Sequence, residues 1–256
     1  MKIIELTDEL KPIYNERLIK FERSFSYPIG QDNFSIDHGK NYYTFFDRIG
    51  KPYFFVALLE DQVIGVACGV LRSGLCDHDK IWYICDLKID SKYRGSGIVY
   101  EFLYFAFKKY SYISTKIYGI SMDGQASAKV LNFIQHTPLL NLKFKDTLYF
   151  YLLNRNEMHS YGYEILDQHV REYYFISLSG IKDIILDSTL LPINMLHLKL
   201  GYEPTIVKDC KYMMCFPKLH PVSIGLKAQG IAHMATASIF SNFQHEDWSF
   251  ITSNEI

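Results

Sequence analysis

A chain of 256 residues is long enough for one large domain or two small ones, and 48% hydrophobic residues mark it as globular rather than disordered. Its 27 lysines and arginines nearly balance its 28 aspartates and glutamates, so no basic surplus favours nucleic acid as a main partner. Glu5, Asp8, Glu9 and Lys11 break up any secretory leader, and no apolar run approaches the roughly 18 residues of a membrane span.

In chain order, residues 1–24 carry Ile4, Leu10, Ile13, Leu18, Ile19 and Phe21 at mixed three-to-four spacing and read as helical. Residues 25–40 read as a loop. Phe25, Tyr27 and Phe34 there are core residues before they are pocket residues. Asn41 to Ile49 reads as a short helix or turn. Tyr53–Leu59 and Val63–Leu71 are β-prone runs joined by Glu60-Asp61-Gln62, which predicts a hairpin. A polar loop containing Gly74 leads to an apolar strand, Ile81–Ile89, expected near the middle of the sheet. A helix from about Gly97 to Lys109 is apolar around most of its circumference, as a helix buried on a sheet would be. Ile117–Met122 reads as a strand, Asp123-Gly124 as a turn, Ala126–His136 as a helix, and Leu142–Leu153 as extended.

The chemistry concentrates in Arg94-Gly95-Ser96-Gly97-Ile98-Val99, between that strand and that helix. Two glycines permit conformations and close approaches that a side chain blocks. The N–H groups opening the helix have no partner inside it, and with the positive end of the dipole they suit a pyrophosphate. The spacing excludes a Walker loop, G-x-x-x-x-G-K-[ST], and a dinucleotide G-x-G-x-x-G, because Tyr100 stands where the third glycine would be. No cysteine pair forms C-x-x-C, the cysteine count is odd, and His245-Glu246 lacks a second histidine at metalloprotease spacing. These features predict reduced thiols, a cytoplasmic location and no metal.

The stretch Asp86-Leu87-Lys88-Ile89, then Asp90-Ser91-Lys92-Tyr93, then Arg94-Gly95-Ser96-Gly97-Ile98 resembles motif A of the GNAT superfamily, the GCN5-related N-acetyltransferases. Their pattern is D-L-x-V, a short turn, and R-G-x-G-[IV]-[GA] opening a helix. Val99 departs from it, where the family mostly has Gly or Ala. The resemblance implies an α/β (α+β) fold with a mixed, mostly antiparallel sheet flanked by helices. It implies acetyl-CoA as co-substrate and an amine of a small molecule or peptide as acceptor. Arg94, Gly95, Ser96, Gly97, Ile98 and Val99 would hold the pyrophosphate. The main chain of Leu87, Lys88 and Ile89 would pair with the pantetheine arm. Asp86 would handle the amine, whose proton must leave before attack. Asp86 reads equally well as a structural carboxylate bonded to a backbone group or a neighbouring lysine, and Cys85 reads as packing.

The last hundred residues suggest a repeat. Tyr100-Glu101-Phe102-Leu103 lines up with Tyr163-Glu164-Ile165-Leu166, and Ile117–Met122 with Asp183–Leu186. A second helix would end at Asn194-Met195-Leu196-His197-Leu198-Lys199-Leu200-Gly201-Tyr202, similar to the ending of GNAT motif B, with His197 at the place of the family's tyrosine acid. In the first copy that place falls on Asn132, which cannot donate as an acid. Two architectures fit. In one, a GNAT domain (1–155) precedes a partial, degenerate copy (156–218) and a tail (219–256). In the other, a single sheet carries a long insertion. Residues 231–240 read as a short helix. Trp248 and Phe250 would pin the tail to the body, or the tail would serve a homodimer. The reading opposed to catalysis is a degenerate GNAT-like domain that binds CoA or a protein partner. Transfer of a longer acyl chain is a third.

Overall fold

The computed structural model describes residues 1–29, 31–73, 80–122, 137, 140–203, 210–245 and 247–256. The expected Gly74 loop, the turn at Asp123-Gly124, the helix Ala126–His136 with Asn132, and Glu246 lie outside the described residues. The first elements are β1 (Lys2–Glu5), α1 (Lys11–Glu22), β2 (Tyr27–Ile29), β3 (Asp32–Asp37), α2 (Thr44–Asp47), β4 (Lys51–Leu59), β5 (Gln62–Arg72) and β6 (Ile81–Ile89). They are followed by α3 (Ile98–Tyr110), β7 (Ile117–Met122), β8 (Lys143–Leu153), α4 (Tyr163–His169), β9 (Tyr173–Ser177) and β10 (Asp183–Leu186). The chain then forms β11 (Met195–Leu200), β12 (Lys211–Pro217), α5 (Pro221–Ala228) and β13 (Ala235–Ser241).

Among the described residues these strands make a ten-stranded sheet, β1-β4-β5-β6-β7-β13-β8-β12-β11-β9, and a three-stranded sheet, β10-β3-β2. The large sheet is antiparallel except at β6–β7 and β11–β12. Those two parallel pairs reveal a pseudo-twofold arrangement. Outward from the central β13–β8 pair, the sheet reads β7 then β6 on one side and β12 then β11 on the other. β12 leads through α5 to β13, and β7 leads in the same sense to β8. Each half therefore places its last strand beside the other half's parallel pair. A second, degenerate copy is present, but its register differs from the expected one. β7 corresponds to β12. Asp183–Leu186 instead forms β10 of the small sheet, antiparallel to β3.

Local chemistry explains where the elements fall. The β4–β5 hairpin turns through Glu60 and Asp61 with φ of 47° and 67°, the left-handed pair that matches strand twist. Residues 1–24 divide, because Ile3 and Ile4 pair with the free edge of β4 before the helix begins. Residues 27–37 form a hairpin rather than a loop, extended by β10. The expected helix over 194–202 is a strand. Leu196 and Leu198 alternate with Met195 and His197, so one pair faces the α4–α5 layer and the other faces away. Residues 235–241 are likewise a strand. The region expected as a tail thus supplies both α5 and a central strand of the sheet.

The sheet has one layer on each face. Ile98 and Phe102 of α3 pack on Phe55, Ala57, Ile64 and Ile89, and Val222 and Leu226 of α5 pack on Tyr212, Met214 and Phe216. On the other face, α1, α2, the small sheet and the C-terminal segment cover Val66, Tyr83, Tyr118, Met213 and Ile239. The apolar girth of α3 is only half buried, since Tyr100 and Tyr104 face solvent. Trp248 is buried against the body and lies near the rings of Tyr118 and Phe250. The small sheet docks through Gly39, at φ +62°, where a Cβ would sit 2.2 Å from the Gly180 carbonyl oxygen. Gly39→Ala is expected to cost about 2 kcal/mol or more, combining a left-handed Cβ with backbone overlap. Urea unfolding should show it as a lowered midpoint with an unchanged slope.

Candidate active site

β6 and β7 pair only at Trp82–Ile117, Tyr83–Tyr118 and Ile84–Gly119, and then diverge. Beyond that point β7 stays with β13, up to Met122 opposite Ala237, while β6 stays with β5. Among the described residues, the β7-facing side of Cys85–Ile89 has no strand partner. At the same place β6 bulges. Its register on β5 shifts between Val66–Lys88 and Cys68–Cys85, and Asp86 adopts φ +48°. A bulge re-aims backbone groups and side chains, and bulges concentrate beside functional sites. Leu87 and Ile89 turn toward α3, while Lys88 reaches toward α1.

The turn after β6 has the form the sequence implies. Asp90 caps the short helical turn Ser91–Tyr93 through the Lys92 N–H at 2.9 Å, and the Arg94 Nε donates to the Ile89 carbonyl at 3.2 Å. Gly95 and Gly97 have φ of +84° and +87°, and a Cβ at either would meet no atom within 4 Å. Gly97 is the N-cap of α3 without a capping side chain, so the N–H groups of Ile98 and Val99 are offered outward. Val99, the departure from the family pattern, packs its side chain into the α3 core cluster. An extended ligand ending in a pyrophosphate fits this unpaired strand edge and exposed turn.

On the α1 side of the bulge lies a buried charge cluster. Lys88 Nζ bridges Glu22 Oε2 at 2.6 Å and Asp86 Oδ1, and the Tyr42 hydroxyl donates to Asp86 Oδ2. The side chains of Glu22, Asp86 and Lys88 are only 1%, 3% and 11% exposed. Both Asp86 oxygens are engaged, whereas Glu22 Oε1 is buried with no hydrogen-bond partner among the described residues. Tyr27 lies alongside, its ring 6.0 Å from Lys88 Nζ, and burial followed by the Glu22 charge raises its phenol pKa. Lys182 is buried behind the cluster over the Phe45 ring, and burial, then the Lys88 charge, brings its pKa down to about 7. Glu22 was legible only indirectly. Tyr14, Leu18 and Glu22 recur every fourth residue on the buried stripe of α1, where a carboxylate needs a reason to be.

His197 stands elsewhere. Counting along β6-β7-β13-β8-β12-β11, it is five inter-strand steps from Asp86, on the order of 20 Å at the usual strand spacing. Its ring is buried, and its Nδ1–H donates to the Ser253 carbonyl at 3.0 Å. Burial, then the Lys182 charge, lowers its pKa from 6.5 to about 4, so it is neutral at pH 7. In the unfolded chain the same ring protonates near its ordinary value. The stability it contributes is therefore complete above about pH 6.5 and is lost as pH falls toward 4. His38, lowered to about 3 by burial and by the Lys88 charge, acts with the same sign. Denaturant melts between pH 7 and 4 should lose a few kcal/mol, and His197→Gln should flatten part of that slope.

The second copy repeats the divergence and then closes it. β11 pairs with β12 only through His197–Met213. Just beyond, the Ser253 hydroxyl accepts from the Leu198 N–H at 3.1 Å and donates to the Met213 carbonyl at 2.7 Å. Asn254 Nδ2 donates to the Leu198 carbonyl at 3.2 Å. The C-terminal segment thus satisfies the groups that a ligand would pair with. Among the described residues no group of three or more His, Cys, Asp or Glu could hold a metal, and no helix is long and apolar enough to cross a membrane.

A mixed sheet with a parallel pair that opens beside a bulged strand and a glycine turn, repeated in degenerate form, defines a tandem α+β architecture. Residues 14–110, from α1 to the end of α3, match the model of the Acetyltransferase (GNAT) family. Over 96% of this chain and 99% of the other, the fold resembles a tandem GNAT protein from the clavulanic acid biosynthesis pathway, with TM-score 0.54 and 8% identity. An aminoglycoside acetyltransferase from an uncultured soil metagenomic sample matches at 20% identity and TM-score 0.39, over 54% of this chain and 86% of its own. A ribosomal-protein-alanine N-acetyltransferase from Brucella melitensis matches at 15% identity and TM-score 0.40, over 58% and 88%. No curated protein matches.

Proposed function

We propose that the protein is a cytoplasmic acetyl-CoA-dependent N-acetyltransferase whose acceptor is an amine of a small molecule or peptide. The observation that carries this reading is the divergence of β6 from β7 after Ile84–Gly119, directly before the bulge at Asp86 and the glycine turn. Acetyl-CoA, when bound, supplies the activated acetyl group. The N–H groups at the start of α3, with Gly95 and Gly97 leaving room, hold a pyrophosphate. The β7-facing edge of Leu87, Lys88 and Ile89, which has no strand partner among the described residues, aligns an extended arm by strand-type hydrogen bonds. A main-chain N–H beside the bulge polarises a carbonyl placed there.

The acceptor approaches from the α1 face. There Glu22 Oε1, without a hydrogen-bond partner among the described residues, attracts an ammonium and accepts a proton from it. Asp86, held by Tyr42 and Lys88, is a positioning residue that fixes Lys88 and through it Glu22. His197 takes no part in proton transfer, because its ring is buried and engaged with Ser253. The residues of the first half, 1–155, carry the reaction in this reading, and the second half carries none.

The test is release of free thiol from acetyl-CoA across a panel of primary amines, with Glu22→Gln, Asp86→Asn and His197→Gln alongside. Glu22→Gln is expected to lower kcat/KM by about a hundredfold, the usual contribution of a positioned base, while His197→Gln leaves it within a few-fold. A folded Glu22→Gln variant with full activity removes the acid–base role. No thiol release with any amine, despite tight cofactor binding, favours the binding-only reading.

A further inference from the structure

Cys68 of β5 and Cys85 of β6 are register partners at the first pair beyond the bulge. Opposed residues on antiparallel strands have Cα atoms about 4.5–5.5 Å apart, inside the roughly 4.4–6.8 Å range a disulfide spans. Both side chains lie on the α1 face, in the same apolar cluster. Cys68 is fully buried, whereas Cys85 is half-buried, just past the last residue that pairs β6 to β7. The proposed acetyl transfer uses neither sulfur.

We propose that Cys68 and Cys85 form a thiol–disulfide exchange site that reacts with low-molecular-mass disulfides, such as glutathione disulfide, to give a cross-strand disulfide. The step balances as two exchanges. The Cys85 thiolate attacks one sulfur of the small disulfide, forms a mixed disulfide and releases the other half as a thiolate. Cys68 then gives up its proton, attacks the Cys85 sulfur and releases the second half as a thiol. Two cysteines are oxidised and one small disulfide is reduced to two thiols. The order follows exposure, because only Cys85 meets solvent and Cys68 is placed to resolve it. The link ties β6 to β5 at the residue before Asp86, and so fixes the bulge that shapes the cleft.

The test is incubation of the full chain with glutathione disulfide, followed by intact mass and non-reduced peptide mapping. The expected product has lost two hydrogens, yields one cross-linked peptide joining Cys68 to Cys85, and reverts with dithiothreitol. Cys68→Ser should stop at a glutathione adduct on Cys85, and Cys85→Ser should give no link at Cys68. Buried Cys215 should stay reduced throughout. A chain that remains reduced, a persistent glutathione adduct on Cys85 in the unsubstituted protein, or a link from Cys85 to Cys76 overturns the proposal. The readout is mass, so it succeeds or fails independently of acetyl transfer.

Discussion

Gly97→Glu is expected to abolish acetyl-CoA binding, weakening it by more than about a hundredfold at moderate salt, equivalent to roughly 3 kcal/mol. Two effects add. The new side chain brings a carboxylate to the N-terminus of α3, where the proposed pyrophosphate would sit, and like charges there repel. A non-glycine residue at φ +87° also strains the turn, at about 1–2 kcal/mol. No atom lies within 4 Å of the added Cβ, so the fold should survive with a modestly lowered melting temperature. Gly97→Ala separates the effects, since it keeps the strain and lacks the charge. If Gly97→Glu binds acetyl-CoA as the unsubstituted chain does, the cofactor does not use this turn.

Arg72→Ala should give the largest loss of stability. The Arg72 guanidinium grips Glu255 through two hydrogen bonds, of 2.8 and 2.9 Å, and donates to the Tyr118 hydroxyl at 2.6 Å, with side-chain exposures of 8% and 16% for the pair. Removing one member of a buried pair leaves the other charge uncompensated, at about 3–5 kcal/mol. Burial already pushes the Glu255 carboxyl pKa up, against the pull of Arg72. Without the arginine the carboxyl takes up a proton as pH falls, so the deficit should shrink between pH 7 and 5. Denaturant unfolding at both values checks the magnitude and the sign. Arg72→Ala combined with Glu255→Gln should recover part of the loss. The same contact anchors the C-terminal segment whose Ser253 closes the second cleft, so Arg72→Ala should also loosen that closure.

The elements legible in the sequence were those set by local pattern. The β4–β5 hairpin, the strand Ile81–Ile89 and the start of α3 follow from alternation, a polar turn and Gly97, none of which depends on a distant partner. The elements that were not legible depend on pairing across the chain. β13 lies between β7 and β8, a position no local signal encodes. Residues 195–200 carried both a helix-like ending and a period of two. The free edge of β12, with β9 beyond, selected the strand. That choice places His197 far from Asp86. The bulge at Asp86 was equally hidden, because a left-handed aspartate inside an apolar strand leaves no trace in hydrophobic periodicity. In the site, the turn residues and Leu87–Ile89 were readable as a motif. Glu22 and Tyr42 were not, because they meet Lys88 and Asp86 only when α1 and α2 pack over the bulge.

In the proposed function each chain has one working acetyl-CoA cleft, between β6 and β7, beside a second that the chain closes on itself. Isothermal titration of the purified protein with acetyl-CoA tests it most directly. Micromolar binding with a stoichiometry of one per chain is expected. Two sites per chain would contradict the closure of the β11–β12 cleft by Ser253 and Asn254. No heat and no thermal stabilisation at millimolar acetyl-CoA would contradict the cofactor site itself.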